Sequence, residues 1–237
     1  MANWFRRRPK RVEAPRLRPR SDDYPTTKLD LAEFTPSPVD FLGRAAAVQL
    51  GHVENLARAL AAAPTTGAKT ALGPVTEASL AKHLALVDAI RAEGVDPAET
   101  LEHFGAVTEE YARVTLGGDW YETLLAAYLG AGFLDHLFSR LGAGLPSRLG
   151  ERVKRIYADD DRHAALVGLL EHAMENDPRL ASRLAMWGRR ILGDTLLVAR
   201  AALGEPSNAD ADTRTEPVYT ELIAAHTRRM DVLGLTA

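Results

Sequence analysis

From residue 37 onward, apolar side chains recur every three or four positions almost without a break, the spacing that gathers them on one face of an α-helix. The pattern predicts seven helices. Ser37-Pro38 supplies an N-cap and a first-turn proline for a helix running to about Ala63. A second helix is read from Gly73-Pro74 to Gly94. A third opens at Asp96-Pro97-Ala98-Glu99, which combines a cap, a proline and a third-position glutamate. The fourth spans Asp119 to about Leu141, where Gly142 and Gly144 end it, and the fifth spans roughly Pro146 to Asn176. Asp177-Pro178 starts a sixth that ends near Gly204, residues 205–215 read as a linker, and a last helix covers about Glu216 to Leu233. No stretch alternates as a strand does, so the fold class is an all-α bundle.

Polar residues interrupt four of these stripes near mid-length. The fifth carries Ile156, Asp160, His163, Val167, Leu170 and Met174, with an acid and an imidazole three residues apart in an apolar seam. The first runs Leu42, Ala46, Gln49, Val53, Leu56, Leu60; the second Thr76, Leu80, His83, Val87, Ile90; the fourth Leu124, Tyr128, Ala131, Asp135, Phe138. Burying such groups is costly unless they pair with one another or hold a metal. Four at matching depth point to one polar layer across the bundle.

Composition narrows the chemistry. The chain has no cysteine, which excludes disulfides, thiolate metal sites and a cysteine nucleophile. The longest smooth apolar run, Leu124 to Leu134, is about half of what a bilayer needs. No signal-peptide core is recognisable, and the expected location is the cytoplasm. Charge is unevenly spread: residues 1–20 total +7 and residues 21–237 total −10. Residues 1–36, rich in Arg and Pro, read as a disordered basic arm, and 37–237 as the bundle. Trp4 and Phe5 beside Arg6, Arg7 and Arg8 are candidates for touching RNA or an anionic surface, as are Arg189 and Arg190 beside Trp187. A solvated tail is the plainer reading. A homodimer is compatible with exposed apolar helix faces.

The layout resembles the ferritin-like carboxylate-bridged metal bundle, in which two helices give a carboxylate each and two give Glu-x-x-His. More closely, it resembles the bacterial family related to the tRNA-(ms2io6A)-hydroxylase, which uses a di-iron site and O₂ to hydroxylate a modified adenosine. The matching segments are Gly94-Val95-Asp96-Pro97, Asp119-Trp120 leading into Ala127-Tyr128-Leu129-Gly130, and Asp160-Asp161-Arg162-His163-Ala164. Asp177-Pro178-Arg179-Leu180-Ala181, Trp187-Gly188-Arg189-Arg190 and Ala225-His226-Thr227-Arg228-Arg229-Met230 complete them, so the likeness covers roughly residues 38–235. It implies a ferritin-like four-helix bundle with additional helices.

Carried over by residue, the implied ligand set is depleted. Gln49 stands where the first helix gives a glutamate, Leu80-Ala81-Lys82-His83 keeps the histidine and loses the acid, and the third acid falls at Ala131, with Asp135 one turn later. Asp160-x-x-His163 is intact, with aspartate for glutamate. Two carboxylates at most cannot neutralise two divalent ions. The expectation is one iron held by His83, Asp160 and His163 with Asp135, reducing O₂ to hydroxylate a substrate, or equally no metal at all. The alternative is a pseudoenzyme, a helical interaction protein whose buried polar residues are structural. His52, His136 and His172 read as surface or boundary residues, and Gly130 and Gly132 as points of close helix packing.

Overall fold

The computed structural model describes residues 34–158, 163–203 and 209–236. Every regular element among them is helical: α1 Pro38–Ala62, α2 Thr66–Ala92, α3 Pro97–His103, α4 Gly105–Thr115, α5 Trp120–Leu141, α6 Ser147–Ile156, α7 Ala164–Asn176, α8 Pro178–Leu203 and α9 Ala209–Val232, with a 3₁₀ turn at Gly142–Gly144. The basic arm with Arg6, Arg7 and Arg8, and Asp160, lie outside the described residues.

Local chemistry fixes several starts. The Ser37 hydroxyl accepts from the Asp40 amide at 3.3 Å, Asp96 from Ala98 at 2.8 Å, and Asp119 from Glu122 at 2.9 Å. Gly94, at φ 81°, stands just past the end of α2 in the left-handed conformation that favours glycine.

Three expectations are corrected. The second helix does not begin at Gly73-Pro74; Thr65 caps it through the Ala68 amide, and Pro74 lies inside it. Proline is tolerated there because Gly73 has no Cβ to meet its ring, so the cost is chiefly one lost bond to the Thr70 carbonyl. The fifth helix is not continuous: α6 ends at Ile156, and α7 begins at Ala164. Finally, the 205–215 segment is not wholly a linker, since α9 starts at Ala209.

The core falls into two apolar clusters, one toward each end of the bundle. One joins Phe34, the start of α1, the end of α2 (Leu86, Ile90), the end of α5 (Phe133 to Leu141) and α6 (Leu149, Val153). The other joins the end of α1 (Leu56, Ala59), the start of α2 (Leu72, Val75), the start of α5 (Leu124 to Leu129), α7 (Leu166, Leu170) and most of α8. The halves alternate in this way because α1 and α2 run antiparallel, as do α1 and α5. The helix α5, buried without a break from Thr123 to Leu134, is the central one, packed by α1, α7, α8 and α9. Such burial needs small residues at the crossings. A Cβ on Gly130 would lie 2.5 Å from the Tyr111 hydroxyl, and one on Gly132 would collide with the Arg229 guanidinium. The close packing expected at these two glycines is therefore present.

Candidate functional site

Between the two apolar clusters lies a polar layer. Gln49 and His52 enter it from α1, Ser79, Lys82 and His83 from α2, Asp135 from α5, and His163 from the turn ahead of α7. Thr195 of α8 and His226 of α9 are buried at the same depth, between residues of one cluster and residues of the other. Gln49, His52, Val75, Ala78, Ser79, Lys82, Ala131, Asp135 and His163 surround a small cavity, of about 10 Å³ to the centre of a water-sized sphere, on the order of room for one water.

The dominant interaction in the cavity is an ion pair. Lys82 Nζ donates to both carboxylate oxygens of Asp135, each at 2.8 Å, and the two side chains keep only 11% and 13% of their accessible surface. It ties α2 to α5 across 53 residues. Beside it, Gln49 Nε2 donates to the Ser79 hydroxyl at 2.7 Å and to the Ser79 carbonyl at 3.2 Å, joining α1 to α2.

His52 is 3% exposed, which corrects its reading as a surface or boundary residue. Burial, with His163 and then Lys82 nearby, pushes its pKa down to about 3, so the ring is neutral at physiological pH. A neutral ring can accept the Tyr111 hydroxyl at Nδ1 (3.4 Å). Burial, and secondarily Asp135, raises the Tyr111 hydroxyl above its ordinary value. Protonating His52 would place a second cationic group near Lys82 in a mostly closed space.

The folded-state pKa of His52 lies below the unfolded value of 6.5, so the unfolded chain takes up a proton that the folded chain refuses. Stability is therefore full above pH 6.5 and lost as pH falls toward 3, with about 2 kcal/mol gone by pH 5 from this group alone. His83 and His226 shift in the same direction through burial and add to the loss. Urea unfolding at pH 7.5 and 5.0 measures the slope. His52→Gln should flatten it, and an unchanged slope in that variant would exclude His52 as the source.

The expected ligands do not all converge. His83 is buried but does not line the cavity; its Nδ1–H donates to the Ala46 carbonyl of α1 at 3.0 Å. Leu80 is 41% exposed and is not an emptied ligand position. The register on α2 is offset by one residue, so Ser79 and Lys82, three apart, face inward where Leu80 and His83 were expected to. Ala131, Asp135, Gln49 and His163 do meet at the cavity.

Sequence reasoning missed His52, Ser79, Lys82, Thr195 and His226 as members of the layer. The i, i+3 spacings Gln49–His52 and Ser79–Lys82 were the available signal. His136 and His172 are boundary and exposed as expected, His136 lying 3.2 Å from Glu221. Arg189 donates to the Thr236 carbonyl at 2.6 Å, and Arg190 lies over the Trp187 ring, 5.0 Å from its centroid.

This donor set does not fit a dinuclear carboxylate-bridged centre, which draws carboxylates from four helices. Among the described residues the cavity offers one carboxylate, already gripped by an ammonium, together with two imidazoles, an amide and a hydroxyl. No group of three or more His, Asp or Glu among the described residues is placed to hold a metal ion.

Residues 32–208 match a family described as a ferritin-like domain of actinomycetes. A comparison with curated proteins finds no match.

Proposed function

The chain belongs to the ferritin-like domain family of actinomycetes, and from that premise we propose that it is a non-catalytic member, a pseudoenzyme that works by binding partners while its polar layer holds the helices in register. The observation that carries this reading is the bidentate grip of Lys82 on Asp135 inside the cavity. A divalent ion there would have to displace an ammonium from the one described carboxylate and then sit beside the displaced charge. Buried networks of this kind cost about as much in desolvation as they return in attraction, and their attested use is to fix register. The remaining bonds support that role, since Gln49–Ser79 and His83–Ala46 each lock α1 to α2.

A second reading keeps one metal. His163 and Asp135 line the same cavity, and Asp160 stands three residues before His163 in the sequence. The likeness to tRNA-(ms2io6A)-hydroxylases would then extend from fold to O₂-dependent hydroxylation, with iron supplying the oxygen chemistry.

Metal content after anaerobic Fe(II) reconstitution separates the readings, measured by mass spectrometry on the wild type and on His163→Ala. We expect well under one iron per chain in both. About one per chain, lost in His163→Ala, would overturn the proposal in favour of a remodelled mononuclear site; two per chain would restore the di-iron reading.

A further inference from the structure

The outward face of α2 carries two exposed leucines one turn apart. Leu80 is 41% and Leu84 52% exposed, Ala81 is exposed beside them, and Glu77 and Asp88 bound the strip on the same face. Ser79, Lys82 and His83 are turned inward, toward the cavity or the core. A single surface leucine signifies little, but this grouping makes a short apolar seam.

Opposite charges lie to the two sides of the seam. α6 and α7 flank α2 on one side, and α1, carrying α3, flanks it on the other. The ten residues of α6 hold Arg148, Arg152, Lys154 and Arg155 against Glu151, a net charge of +3, with Arg148, Lys154 and Arg155 exposed. Arg152 donates to the Ala85 carbonyl at 3.3 Å, which sets the basic helix directly beside the later half of α2. Across the seam, Asp96, Glu99 and Glu102 give α3 and its cap a charge of −3, and Glu93 just past α2 adds a further acid. All four acids are exposed.

Among the described residues, Arg148, Lys154 and Arg155 form no ion pair, and neither do Glu93, Asp96, Glu99 and Glu102. By contrast, Arg58, Arg91, Arg113 and Arg183 each hold an acid of the same chain. The two charged flanks of α2 are thus complementary to each other and unmatched within the chain.

We propose that this face binds a second copy of the chain, forming a two-fold dimer in which α2 packs parallel to its counterpart and each α6 lies against the partner's α3. Symmetry selects the arrangement. An axis running along α2 carries what lies on one side of the seam to the opposite side of the facing surface, so basic meets acidic twice. An axis across α2 would set α6 against α6 and α3 against α3, like charge on like. Leu80, Ala81 and Leu84 then meet their own counterparts near the axis, an apolar centre between two charged rims. A partner of other sequence would have to supply both signs at the matching spacing, which this chain already does. The face points away from the cavity, so the proposal stands whatever the metal content proves to be.

The test is sedimentation velocity of the full chain from about 1 to 200 μM, which should show a reversible monomer–dimer equilibrium that weakens as salt is raised from about 50 to 500 mM. Arg148→Glu/Lys154→Glu/Arg155→Glu and Glu93→Lys/Glu99→Lys/Glu102→Lys should each raise the dimer Kd at least about tenfold. Mixed in equal amounts, the two variants should associate within about threefold of wild type, because every α6 again faces an α3 of opposite sign.

Leu80→Gln/Leu84→Gln should also raise the Kd at least about tenfold, by removing the apolar centre. Met186→Gln/Leu197→Gln, an equally exposed apolar pair on α8, should leave it within about twofold. Every substituted residue is exposed, and an unchanged thermal melt checks that the fold is kept. A monomer at every concentration overturns the proposal and leaves the face to a partner of other sequence. Dimers lost with the α8 pair but kept without Leu80 and Leu84 overturn it as well, as does a mixture no more associated than its two components.

Discussion

Lys82→Met is expected to destabilise the protein by on the order of 3 kcal/mol, because it leaves the Asp135 carboxylate in a mostly closed cavity without the ammonium that both its oxygens contact. In a chain of this size that corresponds to a fall in melting temperature of roughly 6–12 °C. Asp135→Leu should also destabilise, since it takes from the Lys82 ammonium the carboxylate that it holds with two hydrogen bonds. The double variant Lys82→Met/Asp135→Leu should recover most of the loss and come within about 1 kcal/mol of wild type, since removing both charges also removes both desolvation penalties.

A double variant as unstable as the sum of the two singles would show that the charges are not coupled, and the structural role assigned to the pair would fail.

Gly51→Val is expected to cost more than the about 1–3 kcal/mol typical of overpacking. A Cβ at this position would lie 2.8 Å from the Thr108 carbonyl oxygen and 3.2 Å from the Tyr111 ring. The carbonyl belongs to the backbone of α4 and cannot swing aside as a side chain would. The two helices would have to separate, stretching Thr108 Oγ1 to the Ala47 carbonyl (3.0 Å) and Asn55 Nδ2 to the Ala112 carbonyl (2.9 Å). Tyr111, which reaches His52, would move with α4.

Gly168→Ala supplies the comparison. Gly168 is also helical, but nothing lies within 4 Å of the added carbon, so the change should stabilise by up to about 1 kcal/mol through helix propensity. Thermal melts of both variants distinguish crowding from propensity. Equal and small effects would mean that α1 and α4 are not in close contact at Gly51.

Much of the fold was legible because helix boundaries are local chemistry. A serine, threonine or aspartate that accepts from an amide two or three residues on, or a proline in the first turn, acts within four residues, and Ser37-Pro38, Asp96-Pro97 and Asp119 all start helices as read. The misreadings arose where local signals compete with distant ones. Gly73-Pro74 looks like a start, yet Thr65 eight residues earlier holds the cap. The gap between α6 and α7 has no glycine or proline to announce it, and only the burial of Leu149 and Val153 in one cluster and of Leu166 and Leu170 in the other shows the two helices serving different ends of the core.

The site divides in the same way. By itself the sequence determined an all-α bundle with a polar residue near the middle of four of its apolar stripes, because the 3.6-residue period and capping are properties of single segments; the ferritin-like arrangement was what the resemblance implied. Only the tertiary structure decided which neighbour on a helix faces inward: Ser79 rather than Leu80, Lys82 rather than His83 into the cavity, and His52 into the core. It alone joined Lys82 to Asp135. A lysine with an apolar stem reads as a surface residue until its partner is known, and that partner lies 53 residues away on another helix. Pairing between segments depends on how helices cross, and no periodicity within one helix encodes the angle or register at which it meets the next.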